Sequence, residues 1–231
     1  PTPPTGDNRD RCATFEMTFE LGKYQVILLN ESDYNLDSND NLNKYLRNYL
    51  TESDFKLPTK IGIKIFENGT EINSAIIGAE GGATGLHKTS QIIEPNRILI
   101  CCCDSVFCLE LPTLNLNWKT KVDIATAFEI IKIENGFVIH GELEITRIDN
   151  DGKIMWQNGG ADIFVSQNGK DEFEVKDREL AAVFEDRGVP GATYNESTAN
   201  FDNIAGVKSP SINGWRLEPN SNPQKTVFDM A

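Results

Sequence analysis

The stretch Arg97-Ile98-Leu99-Ile100-Cys101-Cys102-Cys103-Asp104-Ser105-Val106-Phe107-Cys108-Leu109 decides the fold of this chain. Its two apolar runs are separated by Asp104-Ser105, and a third run, Leu116-Asn117-Trp118, follows after a turn. Short apolar runs divided by turn residues are typical of β-strands that are buried in a core. We therefore predict consecutive antiparallel strands joined by short turns.

The same pattern occurs a second time. Gly136 to Ile148 repeats the paired runs, Asp149 to Gly152 repeats the turn, and Ile154-Met155-Trp156 repeats the third run. The two tryptophans lie 38 residues apart. A weaker relative, Ile61 to Ile72, precedes them without a tryptophan. Self-similarity at a fixed period indicates a repeat architecture.

The order of strand, link, strand, turn and tryptophan-bearing strand resembles the repeats of quinoprotein-type and WD-like β-propellers, which recur about every 40 residues. A closed propeller needs about four blades or more, and this chain has room for two or three such units. The expected fold is therefore mainly β, with antiparallel sheets in a partial assembly of propeller-blade-like repeats. Because the quinone of quinoproteins sits in a complete propeller, we expect no cofactor.

One amphipathic helix is predicted near the N-terminus, between Asp37 and Thr51. Ser38 and Asp40 are its candidate caps. The residues with helical spacing are Leu42, Tyr45, Leu46, Tyr49 and Leu50. A β-hairpin is predicted before the helix, because Phe15 to Leu21 alternates between apolar and polar residues and Gly22-Lys23 suits a two-residue turn.

The domain boundaries follow from composition. Residues 1–13 are predicted to be an extended lead-in, and residues 14–187 a β-rich domain with repeat units at about 92–128 and 131–166. Gly, Pro, Asn, Ser and Thr crowd residues 188–231, which predicts an irregular C-terminal arm.

Four motifs resemble those of an uncharacterised family of β-rich bacterial proteins. They are Ile76 to Thr84, Asp104 to Leu109, His140 to Ile145 and Gly159 to Phe164. The resemblance implies no activity. Small acidic proteins of this size are plausible immunity partners of toxins, which is an analogy of size and charge.

Charge excludes several classes of partner. Over its 231 residues the chain has 22 basic and 35 acidic residues, a formal net charge of -13. This charge repels phosphate backbones and anionic lipids, so we expect no nucleic acid and no membrane partner. The longest apolar run, Ile98 to Cys103, is too short for a membrane span, which needs about 20 residues. A cationic protein is the partner that such a chain attracts.

The cysteines predict buried thiols in a cytoplasmic setting and no metal. Five is an odd number, and three contiguous cysteines suit a disulfide framework poorly. Cys101 and Cys103 are expected on one strand face and Cys102 on the other, with no further ligand pair to complete a zinc site.

His140-Gly141-Glu142 is similar to the His-x-Glu half of zinc deaminases, but the Pro-Cys-x-x-Cys half is absent. On an alternating strand His140 and Glu142 share a face, so a structural hydrogen bond or an exposed pair is the preferred interpretation. The loop Gly78 to His87 is rich in glycine, which lets a backbone approach a ligand closely, yet it lacks the Gly-Lys-Ser/Thr ending of a phosphate-binding loop.

The leading hypothesis is a non-enzymatic protein-binding module, and its more specific form is an immunity-type protein that neutralises a cationic toxin or effector. The candidate binding residues are Glu80, His87, Asp104, His140, Asp162 and Asp171. One alternative is an enzyme that uses the glycine-rich loop with Glu80 and His87. Another is an assembly protein whose C-terminal arm wraps a neighbouring subunit.

Overall fold

A computed structural model describes residues 16–159 in full and, beyond them, the backbone of five short strands. Residues 16–159 form thirteen β-strands and no helix. The described residues contain no helix that is long and apolar enough to cross a membrane. The predicted lead-in, residues 1–13, lies outside the described residues.

The first sheet has five strands in the order β1-β2-β4-β5-β3. Its strands are β1 (Glu16–Leu21), β2 (Tyr24–Asn30), β3 (Arg47–Leu50), β4 (Lys60–Glu67) and β5 (Thr70–Gly78). Gly22-Lys23 forms the predicted two-residue turn, with Leu21 opposite Tyr24. All neighbours are antiparallel except β3, which lies parallel to β5.

The second and third sheets lie in the part of the chain for which two repeat units are predicted. The second contains β6 (Gln91–Glu94), β7 (Arg97–Cys102), β8 (Ser105–Glu110) and β9 (Leu116–Lys121). The third contains β10 (Ala127–Ile133), β11 (Gly136–Gly141), β12 (Glu144–Ile148) and β13 (Ile154–Gly159). Each is antiparallel with its strands in chain order, and Trp118 and Trp156 lie on the fourth strands.

The prediction of a mainly β fold with antiparallel sheets is confirmed. The sheets of residues 16–159 do not close into a barrel or a propeller. Residues 160–166 of the second predicted unit lie outside the described residues.

Five further strands are described by their backbone. They are β14 (Phe173–Lys176), β15 (Glu179–Ala182), β16 (Thr193–Asn195), β17 (Asn200–Asp202) and β18 (Thr226–Asp229). The order β14-β15-β18 forms one antiparallel sheet, and β16 pairs with β17. Three of these strands therefore lie in the segment that we expected to be irregular.

Two hydrophobic cores lie on opposite faces of the second sheet. Ile98, Ile100, Cys102, Phe107 and Leu109 pack with residues of the first sheet. Leu99, Cys101, Val106 and Cys108 pack with residues of the third. The apolar runs of β7 and β8 are continuous rather than alternating because both faces are buried.

The predicted helix between Asp37 and Thr51 is wrong. Residues 47–50 form strand β3, and no helix precedes them. Local side-chain bonds hold turns instead: Asn35 Oδ1 accepts the Asp37 N–H at 3.1 Å, and Ser38 Oγ accepts the Asp40 N–H at 3.1 Å. Asn and Ser side chains compete with helical hydrogen bonding in this way, and pairing with β5 then fixes the extended conformation.

Candidate functional site

The structure divides the predicted binding residues between two places. Glu80 lies in the glycine-rich loop and Asp104 beside it, whereas His87, at the end of that loop, and His140 belong to a separate hydrogen-bond network. Asp104 and His140 are buried, with exposed fractions of 5% and 3%, while Glu80 is exposed and His87 half-buried. Asp162 and Asp171 lie outside the described residues.

The glycine-rich loop is packed between the sheets. The Gly82 N–H donates to the Ala125 carbonyl at 2.9 Å, and the Asp104 N–H donates to the Glu80 carbonyl at 3.0 Å. The Thr84 N–H donates to Thr59 Oγ1 at 3.0 Å. The loop therefore connects three parts of the chain: the residue before β4, the β7–β8 turn and the link before β10.

Close packing accounts for two of the glycines. Gly81 has a φ of +104°, and a Cβ there would clash with the Ala125 carbonyl oxygen. A Cβ at Gly82 would clash with Thr126 Oγ1. On the Cβ side of each of these two glycines, the space is occupied by protein.

Asp123 is a buried carboxylate that holds two links together. Its exposed fraction is 0%. One oxygen accepts the N–H groups of Ala125 and Thr126 at 2.6 and 3.0 Å, and the other those of Leu143 and Glu144 at 3.0 and 2.7 Å. Four backbone donors satisfy the buried charge. Sequence reasoning did not single out this residue, because nothing in its local pattern distinguishes it from other acids.

The Asp104 carboxylate is engaged in contacts within the protein and does not extend from an open acidic loop. Its carboxylate pairs with Lys121 Nζ at 2.8 Å and accepts the Ser105 hydroxyl at 2.7 Å. The hydrogen bond from Lys121 to Asp104 raises the pKa of the lysine, and Glu80 and Glu144 add to this effect. Burial, together with the Asp123 charge, raises the pKa of Glu144.

Both described histidines are joined through Thr89 and Glu129. Thr89 Oγ1 donates to Glu129 Oε1 at 2.6 Å and lies 3.2 Å from His87 Nδ1. Glu129 Oε2 lies 3.3 Å from His140 Nδ1. The His140 bond lowers the pKa of Glu129 against the opposing effect of burial, and the Thr89 bond lowers it further.

This arrangement gives different partners to the two residues that the enzyme alternative brings together. That alternative pairs His87 with Glu80, but the structure joins His87 to Thr89, while Glu80 lies near Lys121. For His140, the expected structural hydrogen bond is present, and its acceptor is Glu129.

The four cysteines of the described residues, Cys101, Cys102, Cys103 and Cys108, are all buried and unpaired in disulfides. The predicted sharing of a face by Cys101 and Cys103 is wrong, because Cys103 has a φ of 55° in the β7–β8 turn and packs with Cys102 in the first core. Burial raises the pKa of Cys101. Within the described residues no group of three or more potential ligands is placed to hold a metal ion.

The segment between β2 and β4, residues 31–59, carries four of the eight large hydrophobic side chains that are exposed in the described residues. They are Leu36, Leu42, Leu46 and Phe55, with exposed fractions of 55%, 93%, 72% and 83%. We call residues 31–59 the β2–β4 segment. The helix prediction placed Leu42 and Leu46 on the apolar face of an amphipathic helix, and so it did not anticipate this exposed surface.

Polar contacts hold the β2–β4 segment in place, within itself and to the β8–β9 turn. Glu31 Oε1 accepts the Tyr45 hydroxyl at 2.7 Å and the Asn43 amide at 2.5 Å. The Tyr49 hydroxyl donates to the Leu114 carbonyl at 3.0 Å. Tyr45 also lies over Gly62, where a Cβ would clash with its ring. The exposed leucines therefore stand on a well-anchored backbone.

An open groove of about 970 Å³ lies within this segment. Its apolar lining comes from Leu36, Leu50, Phe55 and Leu57, and its acidic lining from Asp33, Asp37 and Glu52. Lys60 also lines the groove. Its Nζ donates to the carbonyls of Ser32 and Leu57 at 2.8 and 3.2 Å. Burial lowers the pKa of Lys60.

Comparison with known proteins gives likeness to solved structures alone. No family model matches the chain, and no curated protein matches it. The AfRom2 CNH domain aligns at 12% identity with a TM-score of 0.43, over 94% of this chain. The computationally designed Ika8 protein aligns at 9% identity with a TM-score of 0.40, over 89% of this chain. The chain spans 64% of the first and 68% of the second.

Proposed function

We propose that this chain is a non-enzymatic protein-binding module that recognises a cationic protein partner. The observation that carries the proposal is the β2–β4 segment, in which exposed apolar side chains stand among acidic residues on an anchored backbone. Two of these side chains, Leu36 and Phe55, line one groove, and contiguous exposed apolar surface marks interaction sites.

The apolar part supplies affinity. Full burial of a leucine or phenylalanine side chain contributes about 1.5–3 kcal/mol. Leu42 and Leu46 are 93% and 72% exposed, so a partner that covers them gains much of this free energy. The anchoring bonds of Tyr45 and Tyr49 reduce the entropy that binding must remove.

The acidic part supplies orientation and a fast approach. Residues 31–59 contain six acidic and three basic side chains, and the whole chain has a net charge of -13. Such a field favours a basic partner and raises its association rate. A cationic toxin that is neutralised by an immunity-type protein has this chemistry, and it is the partner class that we propose.

We further propose that the second and third sheets are propeller-blade-like repeats of a β-rich bacterial family, and that they act as the scaffold for this surface. Their shared order of four antiparallel strands, with a tryptophan on the fourth, supports the proposal.

The test mixes the purified chain with the basic protein encoded beside its gene and measures Kd by calorimetry at about 0.15 M salt. Where no such protein is encoded, each basic protein captured from the source cell is purified and measured separately. The double variant Leu42→Ser/Leu46→Ser is expected to weaken binding at least about tenfold.

The matched control is Ile154→Ser/Met155→Ser, which removes two exposed apolar side chains from β13. It is expected to leave Kd within about twofold of the original value. Equal losses in the two double variants, or an absence of any stoichiometric complex with a basic protein, would refute the proposal.

A further inference from the structure

The groove in the β2–β4 segment has the size of a ligand site. Its volume of about 970 Å³ lies at the upper end of the range of roughly 300–1,000 Å³ that is usual for pockets. Two stretches form it, residues 33–37 before β3 and residues 48–60 across β3 and its exit. The groove is open along one side, as a site that binds an extended peptide segment is.

The apolar side chains of the groove are graded in exposure. Leu57 is buried and Leu50 half-buried, whereas Leu36 and Phe55 are exposed at the rim. An apolar side chain that enters between Leu36 and Phe55 therefore reaches a floor already shielded from water. This is the arrangement of an anchor pocket, in which one buried side chain of the partner contributes much of the affinity.

The lysines of the groove are already engaged. Lys56 pairs with Asp33 at 3.1 Å, and Lys60 is buried and donates to two carbonyls. Asp37 and Glu52 are exposed, and within the described residues neither carboxylate has an ion-pair partner. The charge that the groove offers to a ligand is therefore negative.

The loop that carries Asp37 is pre-formed. Asn41 Nδ2 donates to the carbonyls of Asn35 and Ser38 at 2.6 and 3.0 Å, and Asn41 Oδ1 accepts the Asn35 N–H at 2.9 Å. A groove wall fixed in advance loses little conformational freedom when a ligand binds.

We propose that this groove binds a segment of the partner in which one bulky apolar side chain is flanked by lysine or arginine. The apolar side chain enters between Leu36 and Phe55, and the flanking cations lie beside Asp37 and Glu52. This inference rests on the proposed function and names the site and the recognition element.

The probe is a fluorescein-labelled peptide with one phenylalanine flanked on each side by lysines. Two matched peptides replace the phenylalanine by serine or the lysines by glutamates. Fluorescence anisotropy with the intact chain gives Kd, and amide chemical-shift changes locate the peptide. The first peptide is expected to bind at least about tenfold more tightly than either matched peptide, with shifts confined to residues 33–37 and 48–60.

Two variants remove the groove chemistry and two reproduce the same changes elsewhere. Phe55→Ser and Glu52→Lys act in the groove, whereas Met155→Ser and Asp151→Lys act on β13 and on the β12–β13 turn. Phe55 and Glu52 are exposed, so neither substitution disturbs the core. The groove variants are expected to weaken binding about tenfold, and the control variants by less than about twofold.

Two results would overturn the inference: shifts that lie outside the groove, or an equal loss in Glu52→Lys and Asp151→Lys, which would mean attraction to net charge alone. The inference and the proposed function fail separately. If a cationic partner binds wild type and Phe55→Ser equally well, the groove is wrong and the binding function stands. If the peptide binds in the groove but no cationic protein binds, the proposed function is wrong.

Discussion

The Asp123 carboxylate ties the link that leaves β9 to the β11–β12 turn through four backbone hydrogen bonds. Asp123→Asn keeps the shape but replaces one accepting oxygen by an amide that faces N–H donors. A hydrogen bond to a charged group contributes about 1.5–3 kcal/mol to stability. We expect the free energy of unfolding to fall by about 2–4 kcal/mol, measured by urea denaturation.

The control for this prediction is Asp151→Asn at an exposed turn position. A surface substitution of this kind changes stability by less than about 0.5 kcal/mol. A change that small in Asp123→Asn would show that the four hydrogen bonds do not hold the links together.

Glu129 gives the stability a dependence on pH. Its pKa is lowered in the folded protein, chiefly by His140 and also by Thr89 and His87. Its contribution is therefore present above the unfolded pKa of about 4.3 and is lost as the pH falls through the folded pKa. Glu129→Gln is therefore expected to lower the free energy of unfolding near pH 5, and this loss is expected to become smaller as the pH falls from 5 to 3.

Thermal unfolding of Glu129→Gln and wild type across this pH range checks the prediction. Glu52→Gln serves as the control because Glu52 is exposed. A difference between Glu129→Gln and wild type that grows as the pH falls would contradict the assigned sign.

At the scale of elements, the β4–β5 hairpin depends on a left-handed turn. Asn68 and Gly69 have φ values of 51° and 77°, and the space around Gly69 is open. Gly69→Ala therefore measures backbone strain without a clash, and the free energy of unfolding is expected to fall by about 1 kcal/mol. Gly85→Ala, also in open space but without a positive φ, is expected to leave stability unchanged or slightly raised. Chemical denaturation of both variants makes the comparison, and equal effects would contradict it.

Local patterns predicted the hairpins and failed at β3. The runs around Asn68-Gly69 and Asp104-Ser105 carry their turn signals within a few residues, so the sequence alone places these strands. Arg47 to Leu50 pairs with Ala75 to Gly78, far along the chain, and no local signal shows that pairing. Leucine and tyrosine at helical spacing then predict a helix, although Leu42 is 93% exposed.

The candidate site was still less accessible to sequence reasoning. The groove is formed by residues 33–37 and residues 48–60 around β3. It depends on the pairing of β3 with β5, which the local sequence pattern does not indicate. Glu80 and His87 stand out in the sequence because of their glycine-rich loop, yet the glycines serve packing against Ala125 and Thr126. Unusual composition marked a junction between sheets, whereas the residues of the proposed binding surface have an ordinary polar composition.

At the scale of the whole molecule, the β12–β13 turn packs on the second sheet. Gly152 has a φ of +80°, a Cβ there would clash with the Trp118 ring, and its carbonyl accepts the Thr120 hydroxyl at 2.6 Å. Gly152→Ala adds overpacking to backbone strain, and we expect a loss of about 2–4 kcal/mol in the free energy of unfolding.

Gly22→Ala isolates the strain component, because Gly22 has a φ of +61° and open space around it. It is expected to cost about 1 kcal/mol. The remaining loss in Gly152→Ala, measured by urea denaturation followed by circular dichroism, reports the contact between the two sheets. Equal losses in Gly22→Ala and Gly152→Ala would show that the Trp118 contact contributes nothing.

The double-sided burial of β7 also supplies the protein with internal chemical reporters. Cys101 lies in the core shared with the third sheet, and its neighbour Cys102 in the core shared with the first. Under native conditions, a thiol reagent reaches each sulfur only when the corresponding interface opens. The relative labelling rates of two adjacent cysteines thus tell which neighbouring sheet separates first, and equal rates mean that the three sheets unfold as one cooperative unit.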